Sequence, residues 1–280
     1  MGGRGGKTDA NSVEVINLNT HFGDRQILHD VSLTVKRGEI MVIMGGSGSG
    51  KTTLLNHLLG LLSPSSGTIR ILGEDLGRLT PMQRQQLRTR TGVAFQSGAL
   101  FSSMTIGDNI ALPLREHTDL DETTIGIMTR LKLEVVSLAG FEDLKPAELS
   151  GGMIKRAALA RSIVMDPELL FCDEPSAGLD PVVASSIDDL ILRLRDAMGM
   201  SIVVVTHDLD STFKIADRIC VLDRGKVLAL DTVEAIRAST DIRIQNLLNR
   251  RTEEAELDPD AYLRRLLGHS ATQQDGTVRP

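Results

Sequence analysis

Gly45-Gly46-Ser47-Gly48-Ser49-Gly50-Lys51-Thr52 follows the apolar run Ile40–Met44 and opens a helix-forming stretch at residues 53–59. A glycine-rich loop at a strand-to-helix turn lets successive backbone N–H groups converge on a phosphate, where the helix N-terminus adds about half a positive charge. The pattern predicts a nucleoside triphosphate site. Gly45, Gly46, Ser47, Gly48, Ser49 and Gly50 would wrap the phosphates, Lys51 would bridge the β- and γ-phosphates, and the Thr52 hydroxyl would ligate Mg²⁺ with Thr53 beside it. Gly2-Gly3-Arg4-Gly5-Gly6-Lys7-Thr8 looks similar, but Met1 stands at the first-glycine position and no strand precedes it. Residues 1–12 therefore read as a disordered tail.

Outward from the loop, residues 13–19, 26–35 and 39–44 read as strands separated by glycine-containing turns, and 67–72 as a fourth after Ser63-Pro64-Ser65-Ser66. Residues 81–90 predict a polar helix, 92–95 a short strand, and 105–112 and 120–138 further helices, so a mostly helical insert covers about 97–160. Apolar runs of buried-strand length return at 168–172, 201–206 and 219–223, separated by helical 182–195 and 209–216. That βαβ alternation implies a parallel sheet. Residues 225–229 close a last hairpin, with helices near 233–238 and 242–249. In the charged tail beyond, 258–267 carries an apolar face of Ala261, Tyr262, Leu266 and Leu267 capped by Asp258. Such a face is expected to dock on a second copy or on a partner.

With 280 residues, 41% hydrophobic and 24% charged, the chain has the composition of a soluble globular protein. Residues 52–69 carry no formal charge but include Asn56, His57 and Pro64, so they are not read as a membrane span. The start has no apolar secretory centre, and a cytoplasmic location is expected. A net charge of −6 argues against a general nucleic-acid coat. Cys172 and Cys220 lie in apolar runs and read as buried thiols rather than as a disulfide or metal ligands.

Leu169-Leu170-Phe171-Cys172 ends in Asp173-Glu174, two carboxylates at the carboxyl end of a buried strand, where ligands of open α/β sheets gather. Asp173 would hold Mg²⁺ through its water shell, and Glu174 would accept the proton of the water attacking the γ-phosphorus. Leu149-Ser150-Gly151-Gly152-Met153 opens an amphipathic segment at 153–164. Ser150, Gly151 and Gly152 thus form a second phosphate-binding helix start. One site has little use for two cradles, but two copies of the chain can lend this surface to each other's nucleotide.

With these parts in order, the chain resembles the ATP-binding-cassette transporter ATPases over about residues 13–235. The resemblance implies that Phe22 stacks on adenine, that Gln96 touches the metal and the γ-phosphate and reports to a membrane partner, and that Ala177-Gly178-Leu179-Asp180 crosses a dimer interface with Asp180 near ATP. It also implies that His207 contacts the γ-phosphate. The catalytic set is then Glu174, His207, Lys51 and Gln96, the metal set Thr52, Gln96 and Asp173, and the cofactors ATP and Mg²⁺. The fold implied is α/β, an ABC-type nucleotide-binding domain: a P-loop core with a mostly parallel sheet, an N-terminal antiparallel β subdomain and a helical subdomain. The domain would cover 13–240, with 241–280 as a C-terminal helical extension and tail.

The signature ends in Met153 where the family most often has Gln. Met153, with Phe95-Gln96-Ser97-Gly98-Ala99-Leu100-Phe101 and Pro113-Leu114-Arg115-Glu116-His117-Thr118, is similar to the ATPase subunits of Mla/Mce-type phospholipid transporters. That likeness implies a homodimer on the cytoplasmic face of the inner membrane, working with an inner-membrane permease, a periplasmic Mce lipid-binding protein and a small cytoplasmic regulator. A helix of the permease would dock on 97–118, with Leu100, Phe101 and Met104 as its floor. An importer of another solute shares every catalytic residue. A cassette acting on DNA or the ribosome is the more distant alternative.

Overall fold

The computed structural model describes residues 11–249. The Gly2–Thr8 run (2–8) and the 258–267 segment lie outside the described residues. The first sheet is antiparallel, with β1 (Asn11–Phe22), β2 (Arg25–Lys36), β4 (Ser66–Ile71) and β5 (Glu74–Asp75) in the order β2-β1-β4-β5. The second holds β3 (Ile40–Met44), β6 (Thr91–Ala94), β7 (Leu169–Asp173), β8 (Ser201–Val205), β9 (Arg218–Asp223) and β10 (Lys226–Thr232) in the order β10-β9-β3-β8-β7-β6. All its neighbouring pairs are parallel except β9 with β10, which form the closing hairpin.

Burial explains the two kinds of strand. Every residue of β3 and β8 is buried, as expected for a parallel sheet covered on both faces. The antiparallel β2 mixes buried and exposed positions, with Leu33 and Val35 in the core and Ser32 and Lys36 outside. The two sheets share one core, in which Val13, Leu18, Leu28 and Ile69 of the first pack with Met41, Phe171, Val203 and Leu222 of the second.

Around these sheets run α1 (Lys51–Leu58), α2 (Pro81–Thr89), α3 (Ile106–His117), α4 (Glu122–Val135), α5 (Gly151–Ser162), α6 (Pro181–Met198), α7 (Leu209–Ile215) and α8 (Val233–Arg237). Two helical expectations need correction. The helix expected to stop at 112 continues through Pro113 to His117. Proline removes one helical N–H, but Ile106, Ile110, Ala111 and Leu114 are buried on both sides of it, and Arg115 is bonded back to Asp108 at 3.1 Å and on to Glu122 at 2.8 Å. The segment at 153–164 is not amphipathic: no residue from Gly152 to Ser162 is exposed, because its charges are spent inside the protein. Arg156 donates to the Val136 carbonyl at 2.9 Å and to the Ser186 hydroxyl at 3.1 Å.

The chain divides into two compact units, one up to Ser239 and one from Thr240. The described part of the second is α9 (Ile242–Leu248), capped by the Asp241 carboxylate on the Arg243 N–H. Among the described residues no helix is long and apolar enough to cross a membrane.

Candidate active site

The loop between β3 and α1 is held by close backbone contacts. Gly50 caps α1 at φ +102° and Gly48 lies at φ +74°, conformations that favour glycine. A Cβ on Gly45 would stand 2.1 Å from the Leu222 carbonyl oxygen and 2.7 Å from the Ser49 hydroxyl. The Lys51 ammonium donates to the carbonyls of Gly45 at 2.8 Å and Gly46 at 3.0 Å. Burial lowers its pKa, opposed by Glu174 and Asp173, so the lysine lies in the field of both carboxylates.

Two ties fasten this loop and its helix to the antiparallel sheet. In the β9–β10 turn the Gly225 N–H donates to the Ser49 carbonyl at 2.9 Å, while the Gly225 carbonyl accepts from the His29 N–H at 2.8 Å. Gly225 has φ +77°, and a Cβ there would stand 2.0 Å from the Ile27 carbonyl oxygen. Beneath the loop, the buried His57 of α1 has Nε2 2.7 Å from the Thr20 hydroxyl of β1 and Nδ1 3.1 Å from the Leu62 carbonyl. Burial lowers its pKa. The neutral ring then donates from Nδ1 to Leu62 and accepts at Nε2 from Thr20.

At the end of β7, burial first and Glu174 second push the Asp173 carboxyl above its ordinary value, with Lys155 and Lys51 opposing. Glu174 adopts φ +48°, a left-handed conformation that costs a non-glycine residue about 1–2 kcal/mol. Its N–H donates to the Val205 carbonyl at 2.8 Å. Its carboxylate accepts from the Thr206 hydroxyl at 2.9 Å and lies 2.6 Å from His207 Nδ1. His207, expected on the γ-phosphate, lies against the Glu174 carboxylate in this structure. Thr206 carries no motif signal and is found only here. The Gln96 side chain is exposed, and its loop is gripped by α5: Arg161 donates to the carbonyls of Ala99 at 2.7 Å and Gly98 at 3.0 Å.

Ser150, Gly151 and Gly152 stand at the start of α5. The Ser150 hydroxyl caps α5 on the Met153 N–H at 3.4 Å. A Cβ on Gly151 would meet Leu179 at 3.4 Å, and one on Gly152 would meet Val183 at 2.6 Å. This helix start therefore adjoins the turn carrying Asp180, whose carboxylate caps α6 on the N–H groups of Val182 and Val183, each at 3.1 Å. Phe22 is exposed at the end of β1, paired with Arg25. No hydrogen bond joins these residues to the phosphate loop.

A buried network supports the Asp180 turn from behind. Ser176 and Ser211 hydroxyls lie 3.2 Å apart, and Ser211 donates to Asp188 at 2.9 Å. The other Asp188 oxygen is buried without a partner. Burial raises this carboxyl to about 6, opposed by Ser211 and Lys214 and assisted by Asp208 and Asp189. The folded state therefore holds the proton more tightly than the unfolded chain. Ionised Asp188 costs stability above pH about 6, and the cost fades as pH falls toward the ordinary value of 3.8. Wild type should gain on Asp188→Asn by about 1 kcal/mol between about pH 7.5 and about pH 5. Paired denaturation curves measure it, and a pH-independent gap would refute it.

The chemistry of three expected ligands suits magnesium bound with a nucleotide. Thr52 offers a hydroxyl, Gln96 an amide oxygen and Asp173 a carboxylate, oxygen donors of the kind Mg²⁺ takes. Among the described residues there is no cluster of three or more His, Cys, Asp or Glu able to hold a metal by itself. Cys172 and Cys220 are free and buried, with thiols pushed up to about 12 by burial.

Comparison with known proteins agrees with this geometry. A sequence model described as ABC transporter matches residues 28–177. The chain is 45% identical over 238 residues to the intermembrane phospholipid transport system ATP-binding protein MlaF of Haemophilus influenzae, covering 85% of this chain and 90% of that protein. It is 40% identical over 240 residues to the probable ribonucleotide transport ATP-binding protein mkl of Mycobacterium bovis, covering 86% of this chain and 67% of that one. Among solved structures it resembles a dimeric post-hydrolysis state of the ATP-binding cassette MJ0796 bound to ADP and Pi, with TM-score 0.72 and 30% identity over 79% of this chain and 98% of that one. It also resembles cbiO1 of Clostridium perfringens, part of the ABC transporter complex cbiONQ, with TM-score 0.76 and 29% identity over 91% and 99%.

Proposed function

The chain belongs to the ABC transporter family, and on that premise we propose that it is the ATPase subunit of a phospholipid transporter, acting as a dimer beneath a separate inner-membrane permease. The observation that carries the cargo is the likeness to MlaF along nearly the whole of that protein. A periplasmic Mce lipid-binding protein and a small cytoplasmic regulator complete the proposed assembly. ATP is the nucleotide, and Thr52, Asp173 and Gln96 would hold Mg²⁺, which would supply charge neutralisation at its phosphates.

In this reading Lys51 exchanges the Gly45 and Gly46 carbonyls for the β- and γ-phosphates. Glu174 takes a proton from the attacking water, and Thr206 and His207 keep its carboxylate aimed. Ser150, Gly151, Gly152 and Asp180, brought side by side by the packing of Gly151 on Leu179 and Gly152 on Val183, serve the nucleotide held by the other copy. The dimeric relative bound to ADP and Pi supports that arrangement. Phe22 stacks on adenine.

The permease contact is proposed on different residues from those expected. An apolar cavity of about 390 Å³ is lined by Leu61, Leu76, Leu87 and Phe95, with Arg84 and Arg88 on its wall. Leu100, Phe101 and Met104 do not line it. The Phe101 backbone is tied to the Asn109 carboxamide at 2.7 and 3.1 Å. A permease helix with an apolar anchor and an acidic residue fits a cavity that ends beside Gln96.

Reconstituted in liposomes with its permease, the chain is expected to move labelled phospholipid only with ATP and Mg²⁺. A complex that carries no lipid and is stimulated by a ribonucleotide or another solute would overturn the cargo while leaving the ATPase standing.

A further inference from the structure

Among the described residues the chemistry above leaves one buried lysine unused. Lys155 of α5 is 9% exposed, yet its ammonium bonds to no carboxylate. It donates instead to two backbone carbonyls, that of Gln96 at 2.5 Å and that of Glu174 at 3.0 Å. These residues follow neighbouring strands, β6 and β7, which run parallel with Ala94 opposite Cys172. Glu174 is the residue in the left-handed region, at φ +48°. Its backbone is held on the amide side by Val205 and on the carbonyl side by Lys155.

We propose that Lys155 is a positioning residue that fixes the left-handed backbone of Glu174 in register with the Gln96 loop and so aims the carboxylate. The proposal rests on the reading of Glu174 as general base. It gives α5 a second task, because the helix that begins at Ser150 also holds the base of its own copy. A nucleotide gripping the start of α5 then acts on the neighbouring centre through one ammonium group.

The test compares Lys155→Met with Lys155→Arg in the full-length chain. Lys155→Met should lower kcat by about 10- to 100-fold, as a misplaced reacting group does, while nucleotide Kd stays within about twofold, since nothing that binds the phosphates is removed. Lys155→Arg, which keeps charged donors, should recover part of the loss. If Lys155→Met does not fold, Lys155→Gln, which keeps an amide donor, is measured against the same expectation. Wild-type kcat in the folded variant, a parallel fall in kcat and nucleotide affinity, or no advantage of Arg over Met would overturn the proposal. Glu174→Gln is assayed beside them. If it hydrolyses ATP normally, the base assignment fails; if it is inactive while Lys155→Met is normal, only the role of Lys155 fails.

Discussion

Glu174→Gln should cut ATP turnover by about 10²-fold or more and leave nucleotide binding intact. The amide matches the carboxylate in size and can still accept from the Thr206 hydroxyl, so the strained backbone and its neighbours have no reason to move. What it loses is the capacity to take a proton. ATP-bound dimers should then accumulate because closure no longer ends in cleavage. Phosphate release and gel filtration with ATP measure the two effects, and turnover within tenfold of wild type would remove Glu174 from the role of base.

Gly45→Ala should abolish useful nucleotide affinity, weakening it by about 100-fold or more, the scale set by overpacking a site that cannot yield. The added methyl group would stand 2.1 Å from the Leu222 carbonyl oxygen, a backbone atom of β9 that cannot swing aside. Its neighbour provides the control. A Cβ on Gly46 meets nothing within 4 Å, so Gly46→Ala should bind nucleotide nearly as wild type does. Titration with a fluorescent nucleotide distinguishes the two, and equal affinities would mean that the loop is not seated against β9.

These two glycines mark the limit of what the sequence reveals. The phosphate loop and the Asp173-Glu174 pair are legible because each is a contiguous string at the end of an apolar strand, and the βαβ alternation is legible because its period is local. Lys155 is not. Its acceptors lie 59 and 19 positions away, and an alternation of charged and apolar residues reads as a helix with one face in water. The structure buries those charges by giving them carbonyls, a pairing that no periodicity encodes. Pro113 misleads for a related reason: the local rule ends the helix, while the packing of Ile110 and Leu114 carries it on. Thr206 and Gly225 have ordinary identities, and their roles arise from what strand order brings beside them.

The Gly225 peptide and the His57 ring decide how the molecule comes apart. Local opening follows the weakest boundary in a fold, and a small antiparallel sheet beside a larger parallel one would ordinarily supply it. Here that boundary is crossed by the Gly225 and His57 links, by hydrogen bonds between the Ser12 and Ser201 hydroxyls and from Arg218 to the Thr34 carbonyl, and by a common core containing Leu28 and Leu222. The amides of β1 and β2 should therefore exchange with deuterium on the same slow schedule as those of β3, as one cooperative unit. The antiparallel sheet is consequently not a detachable module: grafting, shortening or replacing it would unsettle the phosphate loop from below.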